Sequence, residues 1–415
     1  MLAVFVVGLL LTATAPRVEI VSVPAGFELR RNGVPYFVKG AGANRMLAEV
    51  AAAGGNSIRT WGAVDIGRLL DRAHAKGLTV TVGFWLEKRG PDVSYRDQAV
   101  LDAQLAEVER GVRAYRNHPA VLMWAIGNEM ELGIGDEAEP MWRQVDRLAR
   151  RVKQLDPRRP VITVVADMWP EKMDQILAFC PSVDALGVNS YGGLPTLHER
   201  MARWRKPYFV TEFQCVSPHD VPRLGGEQPI EPSSTQKAEQ LESVYRGAIL
   251  AHPGRVLGGY VFHWERSDNQ TASWFSMHLS TGERLASVET IQRLWGGPAP
   301  ANRVPVVVRA TRLNPAGWRL EVRDPDGDPV AITWELAEDD PNRRFVGDFE
   351  KRMPLVKRRT TTGPEFAMPV GLVPGPYRLY AIARDGRGGA ASWNVPFVVG
   401  TDGTFVFPPK AAHEP

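Results

Sequence analysis

The chain has 415 residues, of which 44% are hydrophobic and 23% are charged, and its formal net charge is +3. This composition is typical of a soluble globular protein with a sizeable core, and the length suits a barrel of about 250 residues plus a second module. Because the basic residues are scattered along the sequence, the charge argues against nucleic acid as the main partner.

The first eleven residues form an apolar run of about the length of the hydrophobic part of a signal peptide. Ala-Thr-Ala at 13–15 then fits a small-x-small cleavage pattern. We therefore expect an export signal at residues 1–15 and a secreted or periplasmic protein. An uncleaved membrane anchor and a misassigned start codon are the alternatives. The run is short for a membrane span, so we expect no stable membrane insertion.

Residues 27–38 predict a small hairpin with its turn at Asn32 and Gly33. After the hairpin, apolar segments of strand length alternate with helical patterns. The predicted strands are 38–43, 57–61, 79–85, 120–126, 160–165, 185–189, 207–211 and 256–263. The predicted helices are 45–53, 66–76, 101–116, 140–155, 173–178, 196–204, 236–251 and 287–295. This alternation predicts an α/β fold, a (β/α)8 TIM barrel over residues 16–297. An open doubly wound sheet is the alternative, although no glycine-rich phosphate loop follows the first strand.

A second module is predicted after the Pro- and Gly-rich segment 296–303, of which residues 298–303 are the linker. The helical period disappears there, and short strand patterns separated by turns predict a small immunoglobulin-like β-sandwich over residues 304–400. We expect residues 401–415 to form a disordered tail. Asp324, Asp326 and Asp328 lie in one of the turns, and a hydrogen-bonded turn is favoured over a calcium site, so we expect no metal and no other cofactor.

Two glutamates carry most of the chemical information in the chain. Glu129 follows the apolar run 120–126, and Glu212 follows the run 207–210. Burying a carboxylate without a partner costs several kcal/mol, so a glutamate beside a barrel core indicates a functional role. Two carboxylates on separate strands of one sheet are what retaining glycoside hydrolysis requires: one is the nucleophile, and the other acts first as acid and then as base.

Other polar and aromatic residues end the predicted strands at the same rim of the barrel, where reactive groups gather. Besides the two glutamates, the candidates for substrate binding are Arg59, Trp61, Trp85, Asn128, Asn189, Tyr191 and Trp264. One polar residue after a strand is commonly a cap or a surface residue. Several of them converging on one rim instead favour a binding site.

This set of residues resembles the large clan of retaining β-glycosidases built on a (β/α)8 barrel, and the catalytic domain of glycoside hydrolase family 2 in particular. In that clan Asn-Glu ends the fourth strand and a glutamate ends the seventh, which Asn128, Glu129 and Glu212 match. An arginine on the second strand, a tyrosine after the sixth and a tryptophan on the eighth are also typical. Arg59, Tyr191 and Trp264 occupy those places. The resemblance covers about residues 27–295, although family 2 enzymes carry β-sandwich domains before the barrel and this chain has one after it.

The expected roles follow from charge. Arg59 would favour the ionised form of Glu212, and Tyr191 could donate a hydrogen bond to it. Glu129 would be protonated at the start because of burial and the negative charge of Glu212. Asn128 is placed to bind the sugar 2-hydroxyl. Trp264 is expected to lie beneath the sugar, with Trp61 and Trp85 as further stacking surfaces.

The favoured hypothesis is an O-glycosyl hydrolase that cleaves β-glycosidic bonds of an oligo- or polysaccharide with retention. A transglycosylase using the same two glutamates and a non-catalytic carbohydrate-binding protein are the alternatives, but a binding protein has no need of a charge-poised pair. The sequence leaves open the sugar, the linkage, endo or exo action and the oligomeric state. Since every candidate residue precedes the linker, we expect the second module to serve stability or surface attachment and not the chemical step.

Overall fold

The computed structural model describes residues 15–225, 227–266, 271, 273–314, 317–339 and 357–409. The expected export signal lies outside these residues except for Ala15, so it stays a prediction. In the described part of the chain, no helix combines the length and the apolar character needed to cross a bilayer.

The chain begins with a three-stranded antiparallel sheet that covers one end of the barrel. Its strands are β1 (Val18–Val23), β2 (Gly26–Arg31) and β3 (Val34–Pro35). Asn32 and Gly33 form the predicted turn with φ of +53° and +78°, a region that suits these two residue types. Val18 and Leu29 pack on residues near the amino-terminal ends of the barrel strands, among them Phe209. The opposite, carboxyl-terminal rim is therefore the one left for a site.

Eight parallel strands close into a barrel, which confirms the predicted α/β architecture. They are β4 (Val38–Gly42), β5 (Ser57–Arg59), β6 (Thr79–Phe84), β7 (Val121–Asn128), β8 (Val161–Ala166), β9 (Ala185–Asn189), β10 (Tyr208–Phe213) and β13 (Val256–Val261). Every residue of β7 is buried, since a parallel strand is covered on both faces. This is why such strands read as unbroken apolar runs in the sequence.

Helices surround the barrel between these strands. They are α1 (Leu47–Ala52), α2 (Gly67–Ala75), α3 (Gln98–Tyr115), α4 (Ala138–Leu155), α5 (Pro170–Phe179), α6 (Leu197–Arg200), α7 (Ser234–Val244) and α8 (Ala286–Trp295). α4 buries Trp142, Val145, Leu148 and Val152, which recur at helical spacing on the face toward the barrel. The long segment between β10 and α7 adds a small pair of strands, β11 (Arg223–Leu224) and β12 (Gln228–Pro229).

The second module is a sandwich of two antiparallel sheets, as predicted. One sheet contains β14 (Val306–Asn314), β15 (Gly317–Arg323) and β18 (Glu365–Ala367). The other has the order β17-β16-β19-β20-β21, with β16 (Ala331–Glu338), β17 (Lys357–Thr362), β19 (Gly375–Arg384), β20 (Ala390–Val399) and β21 (Phe405–Val406). Trp318, Trp334 and Trp393 lie in the core between the sheets.

The first part of the expected disordered tail is ordered, and this is a correction. β21 pairs with β20, and the rings of Phe405 and Phe407 lie 6.0 and 5.2 Å from that of Phe397. Burial of these rings in the sandwich core holds the segment in place. Residues 410–415 lie outside the described part of the chain.

Among the described residues, one group of acidic, histidine or cysteine side chains is close enough together to hold a metal ion. It consists of Asp324, Asp326 and Asp328. Their contacts are those of a turn. Asp324 accepts hydrogen bonds from the backbone N–H groups of 326 and 328, Asp326 pairs with Arg303, and Asp328 lies 3.0 Å from Arg387. These contacts favour the hydrogen-bonded turn.

Candidate active site

Glu212, near the end of β10, is surrounded by hydrogen-bond donors. Its Oε1 accepts from Nη1 of Arg59 at 2.9 Å and from Nε1 of Trp61 at 2.8 Å. Its Oε2 accepts from the hydroxyl of Tyr191 at 3.0 Å. The Arg59 side chain is 2% exposed and that of Glu212 is 10% exposed. Because donors and a buried positive charge favour the ionised form, this carboxylate is held negative and fixed in orientation.

Arg59 joins Glu212 to the neighbouring polar side chains. It is the last residue of β5, and its Nη2 donates to Oδ1 of Asn128 at 2.6 Å. Its Nη1 also donates to Oδ1 of Asn189 at 3.3 Å and to the carbonyl oxygen of Thr211 at 3.0 Å. The planar guanidinium presents several donors in a rigid fork, so one side chain sets the relative positions of three others.

Glu129 follows β7 directly and adopts a left-handed backbone conformation with φ of +52°. Such a conformation is uncommon for a residue with a side chain and is concentrated at functional sites. Its Oε1 accepts a hydrogen bond of 2.9 Å from Nδ2 of Asn189. Burial, reinforced by the negative charge of Glu212, raises the pKa of Glu129 to about 7. Near neutral pH this carboxyl group therefore still holds its proton in a large fraction of molecules, as a general acid must.

The amides of Asn128 and Asn189 connect the two glutamates. Oδ1 of Asn189 accepts from the hydroxyl of Thr211 at 2.8 Å, which turns its Nδ2 toward Glu129 and toward Oδ1 of Asn128. Oδ1 of Asn128 accepts from both Arg59 and Asn189. Since its oxygen is directed at these two donors, the amide of Asn128 has one orientation, with its Nδ2 on the other side.

An aromatic wall stands beside Glu212 and consists of Trp61, Tyr191, Phe262, Trp274 and Phe275, packed with Cys215. The ring centroids of Tyr191 and Phe275 are 5.1 Å apart, and those of Trp61 and Phe262 are 5.9 Å apart. Phe262 is not among the substrate-binding residues predicted from the sequence. The available signal was its position directly after β13, at the same rim as the other candidates.

Two of the predicted stacking residues are not part of this group. Trp264 is fully buried, with its ring stacked on Trp295 at 5.8 Å, so the expectation that it lies beneath a sugar is corrected. Trp85 follows β6 and is half-buried, and no ring contact or hydrogen bond joins it to the aromatic wall within the described residues. The structure brings the other predicted site residues together: Arg59, Trp61, Asn128, Glu129, Asn189, Tyr191 and Glu212.

We expect Trp264→Ala to affect mainly the stability of the fold and Trp61→Phe to affect mainly the activity of the site. Trp264→Ala removes a fully buried ring and should lower the free energy of unfolding by about 3–5 kcal/mol. Trp61→Phe keeps an aromatic ring at this half-buried position and removes the Nε1–H bond to Glu212. Urea denaturation should therefore show little change for Trp61→Phe, whereas kcat/KM falls. Equal stability losses for the two variants would contradict this assignment.

Several known proteins are similar to this chain. Residues 69–229 match the family described as Glycosyl hydrolases family 2, TIM barrel domain. A Beta-glucuronidase of Paenibacillus borealis is 32% identical over 181 residues, which are 38% of this chain and 29% of that protein. Beta-mannosidase A of Aspergillus terreus is 37% identical over 90 residues, 21% of this chain and 9% of that protein.

A solved structure of beta-D-glucuronidase from Dictyoglomus thermophilum superposes with a TM-score of 0.52 at 19% identity. The superposition covers 68% of this chain and 54% of that one, and at this identity it shows a shared fold. The matched segments span less than a third of the length of these two relatives. The matches confirm the resemblance to a family 2 catalytic domain.

Proposed function

Starting from a barrel that resembles the catalytic domain of glycoside hydrolase family 2, we propose that this chain hydrolyses β-glycosidic bonds with retention at the anomeric carbon. The contrast between the two glutamates carries the proposal. Glu212 receives three donors and is held ionised, whereas burial and the charge of Glu212 raise the pKa of Glu129 to about 7. One carboxylate ready to attack and one ready to give a proton are the pair that double displacement uses.

In the first step, an oxygen of Glu212 attacks the anomeric carbon while Glu129 protonates the departing oxygen. This forms a covalent glycosyl ester on Glu212. Esterification removes the negative charge that helps to keep the proton on Glu129. The pKa of Glu129 therefore falls, and the residue accepts a proton from the water that hydrolyses the ester.

The remaining site residues are proposed to bind and orient the sugar. Asn128, with its oxygen directed at Arg59 and Asn189, is suited to donate from Nδ2 to the sugar 2-hydroxyl, a contact that strengthens in the transition state. Trp61 and Tyr191 hold the nucleophile and also offer ring surface to the sugar. The relatives named Beta-glucuronidase and Beta-mannosidase make β-glucuronides and β-mannosides the first substrates to test.

The direct test is incubation with 4-nitrophenyl β-glycosides and with β-glucans, mannans, galactans and glucuronides, followed by product analysis. Proton NMR of the first product formed should show the β anomer. An α anomer would rule out the two-step mechanism. New, longer glycosides in place of free sugar would indicate transglycosylation, and binding without any product would indicate a carbohydrate-binding protein.

We expect kcat/KM to fall as the pH rises through about 7 for a substrate with a poor leaving group. Glu129 must be protonated to assist departure, and its raised pKa places the loss of that proton near neutrality. Above this pH the rate constant should fall about tenfold per pH unit. The matched control is a substrate with a highly activated leaving group. Its kcat/KM should not fall over this pH range, because its leaving group departs without protonation. A flat profile up to pH 9 for the poor leaving group would contradict the role of Glu129.

A further inference from the structure

The sandwich holds the segment that follows β10 through a buried arginine. Arg378 lies on β19 with its side chain 1% exposed, and its Nη2 donates to the carbonyl oxygen of Pro229 at 3.0 Å. The same guanidinium donates to Asp339 at 3.0 Å and to Asn394 at 2.7 Å. From the barrel side, Nε2 of Gln228 donates to Asp339 at 2.8 Å. β12 is thus attached to the sandwich by charge-assisted hydrogen bonds away from water.

A second buried ion pair lies two residues beyond Pro229. It connects the segment after β10 to the segment after β13. Glu231 is fully buried and accepts hydrogen bonds from Lys237, from Thr271 at 2.6 Å and from Ser273 at 2.8 Å. Although burial acts to raise it, the charges of Lys237 and Arg378 hold the pKa of the Glu231 carboxyl below its usual value. Glu231 therefore stays charged and keeps its partners.

The residues next to Ser273 belong to the aromatic wall. Nε1 of Trp274 donates to the carbonyl oxygen of Val216 at 3.0 Å, and the carbonyl oxygen of Phe275 accepts from Nε2 of Gln214 at 2.6 Å. The ring of Phe275 packs on that of Tyr191, whose hydroxyl binds Glu212. A continuous series of buried and partly buried contacts therefore runs from the sandwich to the wall beside the proposed nucleophile.

We propose that the sandwich positions the aromatic wall of the active site, with Arg378 and Glu231 as positioning residues, and thereby sets the affinity for the sugar. The proposal rests on the glycosidase function proposed above. It assigns the second module a task beyond stability without giving it a part in the chemical step. The affected contacts are those between the wall and substrate, so the predicted change is mainly in KM.

Cys215 offers a readout that needs no substrate. It packs in the aromatic wall, and its thiol contacts the carbonyl oxygen of Trp274, whereas Cys180 is buried at the end of α5. We expect Arg378→Gln to increase the rate of N-ethylmaleimide labelling at Cys215 at least tenfold, with Cys180 within twofold of wild type. Peptide mass spectrometry reads both cysteines in one sample. The control is Arg319→Gln, an exposed sandwich residue paired with Glu365, which should leave both rates unchanged.

If Arg378→Gln does not fold, Gln228→Ala serves as the test variant. It removes two hydrogen bonds between β12 and the sandwich and leaves the ion pair of Arg378 and Asp339 in place. Its expected increase at Cys215 is about threefold. Equal acceleration at both cysteines would mean that the sandwich acts only on global stability. No acceleration at Cys215 would mean that the contact with the sandwich does not position the wall. Either result would overturn the proposal.

The second arm uses the substrate that the wild-type protein turns over. For Arg378→Gln, or Gln228→Ala in its place, kcat/KM should fall at least fivefold through a higher KM, at a temperature well below the melting transition. Faster labelling of Cys215 with kcat/KM within twofold of wild type would refute the role in substrate binding. If no glycoside is turned over, the proposed function fails, and the labelling arm still tests the mechanical connection.

Discussion

Glu212→Gln is expected to abolish turnover and leave the fold intact. Glutamine has nearly the same shape but carries no negative charge, and it is a poor nucleophile toward the anomeric carbon. The loss should be at least a thousandfold in kcat/KM, or about 4 kcal/mol of transition-state stabilisation. Steady-state kinetics on the best substrate measure it, with circular dichroism to verify the fold.

The matched control is Glu87→Gln, the same change at an exposed carboxyl group in the segment after β6. It should retain activity within about twofold. If purified Glu212→Gln kept as much as a tenth of wild-type activity, the nucleophile would have to be another residue.

Glu129→Ala is expected to affect the two steps differently. A 2,4-dinitrophenyl leaving group needs no protonation, so the first step should proceed at close to the wild-type rate. The second step should stall because water then lacks its base, and the glycosyl ester on Glu212 should accumulate. Pre-steady-state kinetics would show this as a burst of dinitrophenol followed by slow turnover.

Azide should restore turnover of Glu129→Ala because it attacks the ester without a base. The product should be the β-glycosyl azide, since two successive inversions restore the starting configuration. An α-configured azide would exclude a retaining mechanism. No rescue at any azide concentration would exclude Glu129 as the acid/base.

The barrel could be predicted because its strands are buried on both faces. β7 and β10 are buried at every residue, so most of each strand appears in the sequence as a continuous apolar run, and α4 shows its packing face at helical spacing. Strand ends were less predictable. β5 was expected to reach Trp61 but ends at Arg59, since only three of its residues pair with both neighbouring strands.

The polar part of the candidate site could also be predicted, because each side chain lies at or just after the end of a parallel strand. Arg59, Asn128 and Asn189 are the last residues of β5, β7 and β9. The aromatic part was predicted less completely, since Trp61 and Tyr191 were candidates but Phe262 was not, and Trp264 lies outside the wall. β13 ends at Val261, so the strand alternation no longer tells which of Phe262, His263 and Trp264 faces the rim.

The remainder of the wall depends on contacts between distant segments. Gln214 and Phe275 are 61 residues apart in the chain and meet through a single hydrogen bond. The ordered segment at 405–407 was missed for a related reason. Phe405 and Phe407 show no strand-length pattern, and their burial depends on a sheet completed by β20.

The link between Pro229 and Arg378 has a consequence for how the protein is made, because it joins residues 149 positions apart. A ribosome adds about 5–20 residues per second, so roughly 7–30 s pass between synthesis of the two partners. The segments that provide Glu129 and Glu212 are complete before that interval begins. A nascent barrel thus carries both carboxylates before β19 exists to support the wall beside them, and any sugar affinity that depends on this support is acquired only at the end of translation.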